Sequence, residues 1–243
     1  MRRCVRHSKN ELKPHLVKQW VIPPEHNAQF VWRMEEILDL YEEPYDPKKP
    51  MVCFDERPCQ LLAEVYDPLP MEPGGRIKRF DSEYERKGTA HVMMAFEPLA
   101  AWRKVIVTER RRKQEFAEVM RYLVDDLYPD ADRIRVVCDN LNTHTGAAFY
   151  ESFPAEQARR MARRIEFIYT PLHGSWLMNM VEIELSVLVR QCLKRRVPDV
   201  QTLEQEAGAW CEERNRLGTS VHWRFTTEDA RIKLRKLYPS IDA

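Results

Sequence analysis

Asp139 closes the apolar run Val136-Val137-Cys138 and opens Asn140-Leu141-Asn142-Thr143-His144, while Asp55 closes a second run, Met51-Val52-Cys53-Phe54. Two strands thus each present one carboxylate at a tip. A third acid, Glu182, follows Asn179 within His173-Gly174-Ser175-Trp176-Leu177-Met178-Asn179-Met180-Val181-Glu182, which reads as the first turns of an apolar-faced helix. Carboxylates on strand ends and a helix suit hard divalent cations, because Mg²⁺ takes oxygen ligands and keeps positions open for water and phosphate oxygens. Two such ions, roughly 3.5 to 4 Å apart, serve in-line phosphodiester displacement: one activates the attacking oxygen and the other stabilises the leaving oxygen. Taken singly, an acid at a strand tip often only caps a turn or meets solvent.

The combination is more specific than its members. Asn10-Glu11-Leu12-Lys13, Cys53-Phe54-Asp55-Glu56-Arg57-Pro58, Thr108-Glu109-Arg110-Arg111, Asp139-Asn140-Leu141-Asn142-Thr143-His144, Tyr169-Thr170-Pro171, His173-Gly174-Ser175-Trp176 and Glu182-Ile183-Glu184-Leu185-Ser186 occur in this order. With these landmarks the chain resembles, over nearly its whole length, the catalytic domain of bacterial transposases of the insertion-sequence-630 group, relatives of the mariner transposases in the D-D-E superfamily. The resemblance implies a ribonuclease-H-like α/β fold with a mixed central sheet flanked by helices. It also implies Asp55, Asp139 and Glu182 as catalytic and metal-binding acids, with Asn140, His144, His173, Trp176 and Asn179 shaping or orienting the pocket. The implied cofactor is a pair of Mg²⁺ ions, with Mn²⁺ as a substitute.

The activity so implied is cleavage of double-stranded DNA at the terminal inverted repeats of a mobile element, then attack of the freed 3′-hydroxyl on target DNA. A homodimer is expected by analogy, since two ends must be brought together. Alternatives are a ribonuclease-H-like nuclease without strand transfer, and an inactive remnant that binds DNA or partners. Family members carry helix-turn-helix modules ahead of the catalytic part. This chain opens near a linker, Lys9-Asn10-Glu11-Leu12-Lys13-Pro14, which suggests a truncated copy, a separately encoded second reading frame or an excised domain.

One departure concerns the third acid. The family's run is His-Gly-Ser-Trp-Leu-Asn, whereas Met178 here separates Leu177 from Asn179. An extra residue inside a continuous helix rotates every later residue by roughly 100°. The expectation is that Leu177 and Met178 lie in the turn before the helix, with Glu184 as the fallback ligand.

The elements that must position these groups can be read from periodicity and breakers. Residues 26 to 41 read as a helix, with Phe30, Met34, Ile37 and Leu38 at helical spacing, broken by Pro44 and Asp46-Pro47-Lys48-Lys49-Pro50. Strands are expected up to Asp55, over Gln60 to Tyr66, at His91 to Phe96 and at Lys104 to Thr108, with a Pro/Gly-rich loop through Pro68 to Gly75. A helix over Lys113 to Leu127 leads to the Asp139 strand. Helical residues then run through Arg164, before a strand at Ile165 to Tyr169 and the Glu182 helix. The end of the chain reads as a helix over Thr202 to Asn215, a Trp223-Arg224-Phe225 strip expected to pack rather than stack on bases, and an amphipathic segment from Thr227 to Leu237 capped by Thr226 or Thr227. Residues 1–50 are read as a linker and helical arm, 51–200 as the catalytic domain and 201–243 as a helical extension.

The 243 residues allow one large α/β domain, and 44% hydrophobic with 32% charged residues fits a folded chain that acts in water. No apolar run approaches the roughly 18 residues of a membrane helix, and the basic start lacks a signal's apolar core. A bacterial cytoplasmic location, nucleoid-associated through DNA and without a membrane partner, is expected. The 6 cysteines form no C-x-x-C pair, which argues against a zinc site or a disulfide framework, and Cys53 and Cys138 read as small core residues. Net charge is only +1, so DNA contact is expected from local clusters: Arg110, Arg111 and Arg112 with Lys113, Arg159-Arg160 with Arg163-Arg164, and Lys194, Arg195 and Arg196. Each could contact phosphates or simply form a solvated face.

Overall fold

The computed structural model describes Pro23 and residues 27–66, 69, 82–172 and 174–240, with the side chain of Trp176 excepted. The landmark at Asn10 to Lys13, most of the Pro68 to Gly75 loop and His173 lie outside these residues.

Five strands form one sheet in the order β3-β2-β1-β4-β5: β1 (Met51–Glu64), β2 (Tyr84–Glu97), β3 (Trp102–Thr108), β4 (Ile134–Cys138) and β5 (Ile165–Tyr169). β1, β2 and β3 are antiparallel neighbours, whereas β4 runs parallel to β1 and β5 parallel to β4. This is the mixed sheet expected from strands joined first by short connections and then by helices.

The two strands read at Met51 and at Gln60 are one continuous strand. Pro58 lies within it, although proline cannot donate to a ladder. β4 pairs with β1 only over Met51 to Cys53, so beyond that point β1 is an edge, where proline is tolerated.

Alternation along β1 divides the core. Met51 and Cys53 join one cluster with α1 (Ala28–Glu42), α6 (Val181–Gln191), α7 (Val200–Arg216) and α8 (Thr227–Lys233). Val52 and Phe54 join another with α2 (Lys113–Tyr122), α3 (Ala147–Ser152) and α4 (Ala155–Arg164). The period of two thus gives a helix-sheet-helix sandwich. It also sends Asp55 towards the α6 face and Glu56 towards the α2 face.

The helix expected over Lys113 to Leu127 is regular only to Tyr122; Leu123–Leu127 form a π turn. Thr226 caps α8 by accepting from the Asp229 N–H at 3.1 Å. The segment ends in a short 3₁₀ turn, Arg235–Leu237. Trp223 packs edge-on against Tyr41 with ring centroids 5.3 Å apart, and its indole N–H donates to the Phe225 carbonyl at 2.8 Å. Cys53 and Cys138 are buried in the strands, and burial pushes the Cys53 thiol up to about 12. No helix among the described residues is long and apolar enough to cross a membrane.

Candidate active site

Strand register brings the two aspartates side by side. Cys53 pairs with Val137 in the parallel β1-β4 ladder. Two residues further on stand Asp55, still within β1, and Asp139, the first residue past the end of β4, and the charge of Asp139 is felt by the Asp55 carboxyl. Asp55 is nearly buried, and its Oδ1 accepts the Glu56 N–H at 2.8 Å. Burial, the charge of Glu182, and the charges of Glu56 and Asp139 together push its carboxyl up to about 8. Asp55 therefore senses both Glu182 and Asp139.

The run from Gly174 is not one helix. α5 (Ser175–Met178) ends at Asn179, which is extended with φ −93° and ψ 112°, and α6 starts at Val181. Met178 is thus absorbed ahead of the helix that carries Glu182, so it adds no rotation within α6. The break is held from two sides. The Asn179 side-chain amide donates to the Phe54 carbonyl at 2.9 Å, and the Tyr41 hydroxyl donates to the Met178 carbonyl at 2.6 Å. Gly174 enters this turn closely packed: a Cβ there would stand 3.2 Å from the Pro171 carbonyl oxygen.

His144 is 1% exposed and lies between two carboxylates. Its Nδ1 is 2.6 Å from Asp139 Oδ1 and its Nε2 is 3.0 Å from Glu56 Oε2. The ring leans against Phe116 and meets Phe54 edge-on. Burial alone would lower its pKa; hydrogen bonds and charges from Asp139 and Glu56 outweigh that and raise it to about 9. A value of about 9 favours the imidazolium at neutral pH, with Nδ1 hydrogen-bonded to Asp139 and Nε2 in an ion-pair contact with Glu56. Asp139 responds in the opposite sense: burial would raise it, but His144 and the Leu141 N–H hold it below its ordinary value. Glu56 also faces the Arg111 guanidinium at 3.3 Å. Sequence reasoning passed over Glu56, although it belongs to the Cys53 to Pro58 landmark and its even position in β1 placed it opposite Asp55.

Other expected residues have identifiable partners. The Asn140 amide donates to the Thr170 carbonyl at 2.5 Å, tying the β4 tip to the end of β5. Glu184, the fallback ligand, is fully buried and taken by Arg214 at 2.8 Å and Arg103 at 3.4 Å. Arg111 is the member of the first basic cluster that reaches the site, whereas the Arg112 backbone N–H donates to Glu115 at the start of α2. Arg195 pairs with Glu206, and Arg196 with Glu64. Arg160 pairs with Asp125 at 2.5 Å. Lys194 and Arg110 are exposed.

Among the described residues no three of His, Cys, Asp and Glu form a ready metal cage. Mg²⁺ does not require one, since it is commonly held by one or two carboxylates, waters and substrate phosphates. The donor chemistry fits: Asp55 is a hard oxygen donor, and Glu182 and Asp139 lie near enough for their charges to add to the effect of burial on its carboxyl.

A family model described as DDE superfamily endonuclease matches residues 50–204, which include all three acids. Among solved structures, the chain is similar to the Mos1 mariner paired-end complex with Mn. The TM-score is 0.51 at 15% identity, over 84% of this chain and 62% of that one. The paired-end complex with Mg gives 0.51 at 13%, over 93% and 67%. The Mos1 strand transfer complex gives 0.50 at 14%, over 87% and 62%. At these identities the likeness is one of fold, the ribonuclease-H-like one, and the chain spans about 62% of the first of these chains. No curated protein matches the sequence significantly. With the family model covering more than half of the sequence, the chain belongs to the DDE superfamily endonucleases.

Proposed function

We propose that this chain is the catalytic domain of a mariner-like transposase of the insertion-sequence-630 group. It would cut double-stranded DNA at the ends of a mobile element and join the freed 3′-hydroxyl to target DNA. The observation that supports this reading is the buried Asp55 carboxyl, raised to about 8 by burial and by the charges of Glu182, Glu56 and Asp139. The Mos1 complexes support it as fold relatives. They were solved with Mn or Mg, with a left transposon end and as a strand transfer complex.

Asp55, Asp139 and Glu182 would hold two Mg²⁺, or Mn²⁺ in their place; the metal pair supplies an activated oxygen nucleophile and a sink for leaving-group charge. The remaining work belongs to the chain. His144 fixes the Asp139 carboxylate from behind, as outer partners of metal ligands do. Asn179 and Tyr41 fix the start of α6 and hence the approach of Glu182. His173 and the Trp176 side chain, which the family resemblance assigns to the same pocket, lie outside the described residues. In this reading residues 51–200 are the catalytic unit, 1–50 the linker and arm, and 201–243 a helical extension. A second copy brings the other DNA end, and the protein works in the bacterial cytoplasm on nucleoid DNA.

Supercoiled plasmid incubated with Mg²⁺ or Mn²⁺ tests the chemistry. Nicking that is lost in Asp55→Asn and Asp139→Asn, with circular dichroism unchanged, is the expected result. Nicking that survives either substitution overturns the assignment. Joining of a labelled 3′-end to plasmid separates a transposase from a nuclease that only hydrolyses.

A further inference from the structure

We infer that the groove between the open edge of β1 and the far end of α6 seats the backbone of a DNA strand as it leaves the acid centre. This inference rests on the endonuclease reading and assigns the substrate path of the same site.

The groove is formed by later residues of the same two elements, β1 and α6, that carry Asp55 and Glu182. β1 loses β4 after Cys53 and continues to Glu64; along that open stretch the Leu62 N–H donates to the Val197 carbonyl. α6 starts beside Asp55 with Glu182 and ends near Val189 and Leu193. Between the two lies a cavity of about 300 Å³ with an apolar floor of Cys59, Val92, Val189 and Leu193. Arg57 stands on its rim. It lies two residues beyond Asp55 on the same face of β1, roughly 6.6 Å along the strand.

Charge selects the occupant. Arg57, Lys194, Arg195 and Arg196 line the groove, and no acidic residue does. Arg195 and Arg196 are already tied to Glu206 and Glu64, which fixes them on the wall. The side chains of Arg57 and Lys194 are exposed and make no ion pair or hydrogen bond among the described residues. Two unpaired cations over an acid-free groove suit successive phosphates of a polyanion. The larger cavity at the opposite end of the sheet, about 700 Å³, lacks this character. Its Lys49, Arg133 and Arg135 are interleaved with Glu36, Asp39, Glu43, Asp132 and Glu166.

The test is binding of a fluorescein-labelled DNA duplex with a single-stranded flank, followed by anisotropy in EDTA over a range of salt, so that cleavage plays no part. The doubly substituted chain Arg57→Glu with Lys194→Glu should bind at least about tenfold more weakly at low salt, and its slope of log Kd against log salt should fall by about 1.5, as expected for two lost phosphate contacts. Lys236→Glu, in the exposed turn Arg235–Leu237 and outside every basic cluster named above, should change neither quantity. The milder pair Arg57→Gln with Lys194→Gln should shift both in the same direction, and melting curves establish that every variant is folded. No measurable binding by the unsubstituted chain, an unchanged slope in the double variant, or an equal loss in Lys236→Glu overturns the proposal. Plasmid nicking, run in parallel, reports separately on the acids. Nicking with groove-independent binding removes the groove alone, and groove-dependent binding without nicking removes the endonuclease reading alone.

Discussion

The side-chain amide of Asn179 donates to the backbone carbonyl of Phe54 at 2.9 Å, joining the residue before the Glu182 helix to the residue before Asp55. Its own oxygen accepts the Val181 N–H at 3.4 Å. One buried side chain therefore sets the separation of two elements that carry proposed metal ligands, while the Tyr41 hydroxyl holds the other side of the same break.

Asn179→Ala leaves the Phe54 carbonyl buried without this donor and should cost about 1–3 kcal/mol. Urea titration measures that loss. If Asn179 also positions Glu182, the Mn²⁺ concentration needed for half-maximal nicking should rise at temperatures where the variant remains fully folded. A stability loss with an unchanged metal requirement would reduce Asn179 to a packing residue.

Without metal, the chain should be less stable at pH 9 than at pH 6. Asp55 has a folded pKa of about 8, above its ordinary value of 3.8, so the folded state keeps a proton that the unfolded state has released. Its effect on stability falls as pH rises from about 4 to 8. His144 has a folded pKa of about 9 against an ordinary 6.5, so its stabilisation is complete below 6.5 and is lost as pH rises through 9. Both act in the same direction. Melting in EDTA should therefore drop across this window, and Mn²⁺ should restore more of the loss in the unsubstituted chain than in Asp55→Asn.

Glu56→Gln keeps the shape beside His144 but removes one of its two carboxylate partners. The imidazole pKa should move down from about 9, read from the His144 ring protons by NMR titration. Asp139, held low partly by the imidazolium, should move up in turn. Nicking should then weaken most above neutral pH, where His144 has lost its proton. An unmoved His144 titration would assign its raised pKa to Asp139 alone.

Much of this arrangement was legible in the chain. The apolar runs ending in Asp55 and Asp139 do form strands and Glu182 does open a helix, but Asp55 lies inside the continuous β1 rather than at a strand tip, while Asp139 follows the end of β4. The features that escaped were long-range. Glu56 reads as an ordinary charged residue until β1 is known to alternate faces and His144 is known to fold back onto it. The continuity of β1 through Pro58 depends on how far β4 extends, which no local pattern states. The break expected around Leu177 and Met178 falls at Asn179, and the groups that hold it, Phe54 and Tyr41, are distant in sequence and so not legible locally.

Glu182 and Glu184 share the first turn of α6 but should answer substitution in opposite ways. Glu184 is fully buried against Arg103, itself 0% exposed, and against Arg214. Glu184→Gln leaves the buried Arg103 charge without its carboxylate and should cost about 3–5 kcal/mol. Glu182 is only partly buried, and its charge raises the pKa of Asp55. Glu182→Gln removes that repulsion, so the metal-free chain should melt at the same temperature or higher while nicking is lost. Thermal melting in EDTA beside the plasmid assay separates the two acids, and a Glu182→Gln chain that nicks normally would remove Glu182 from the proposed ligand set.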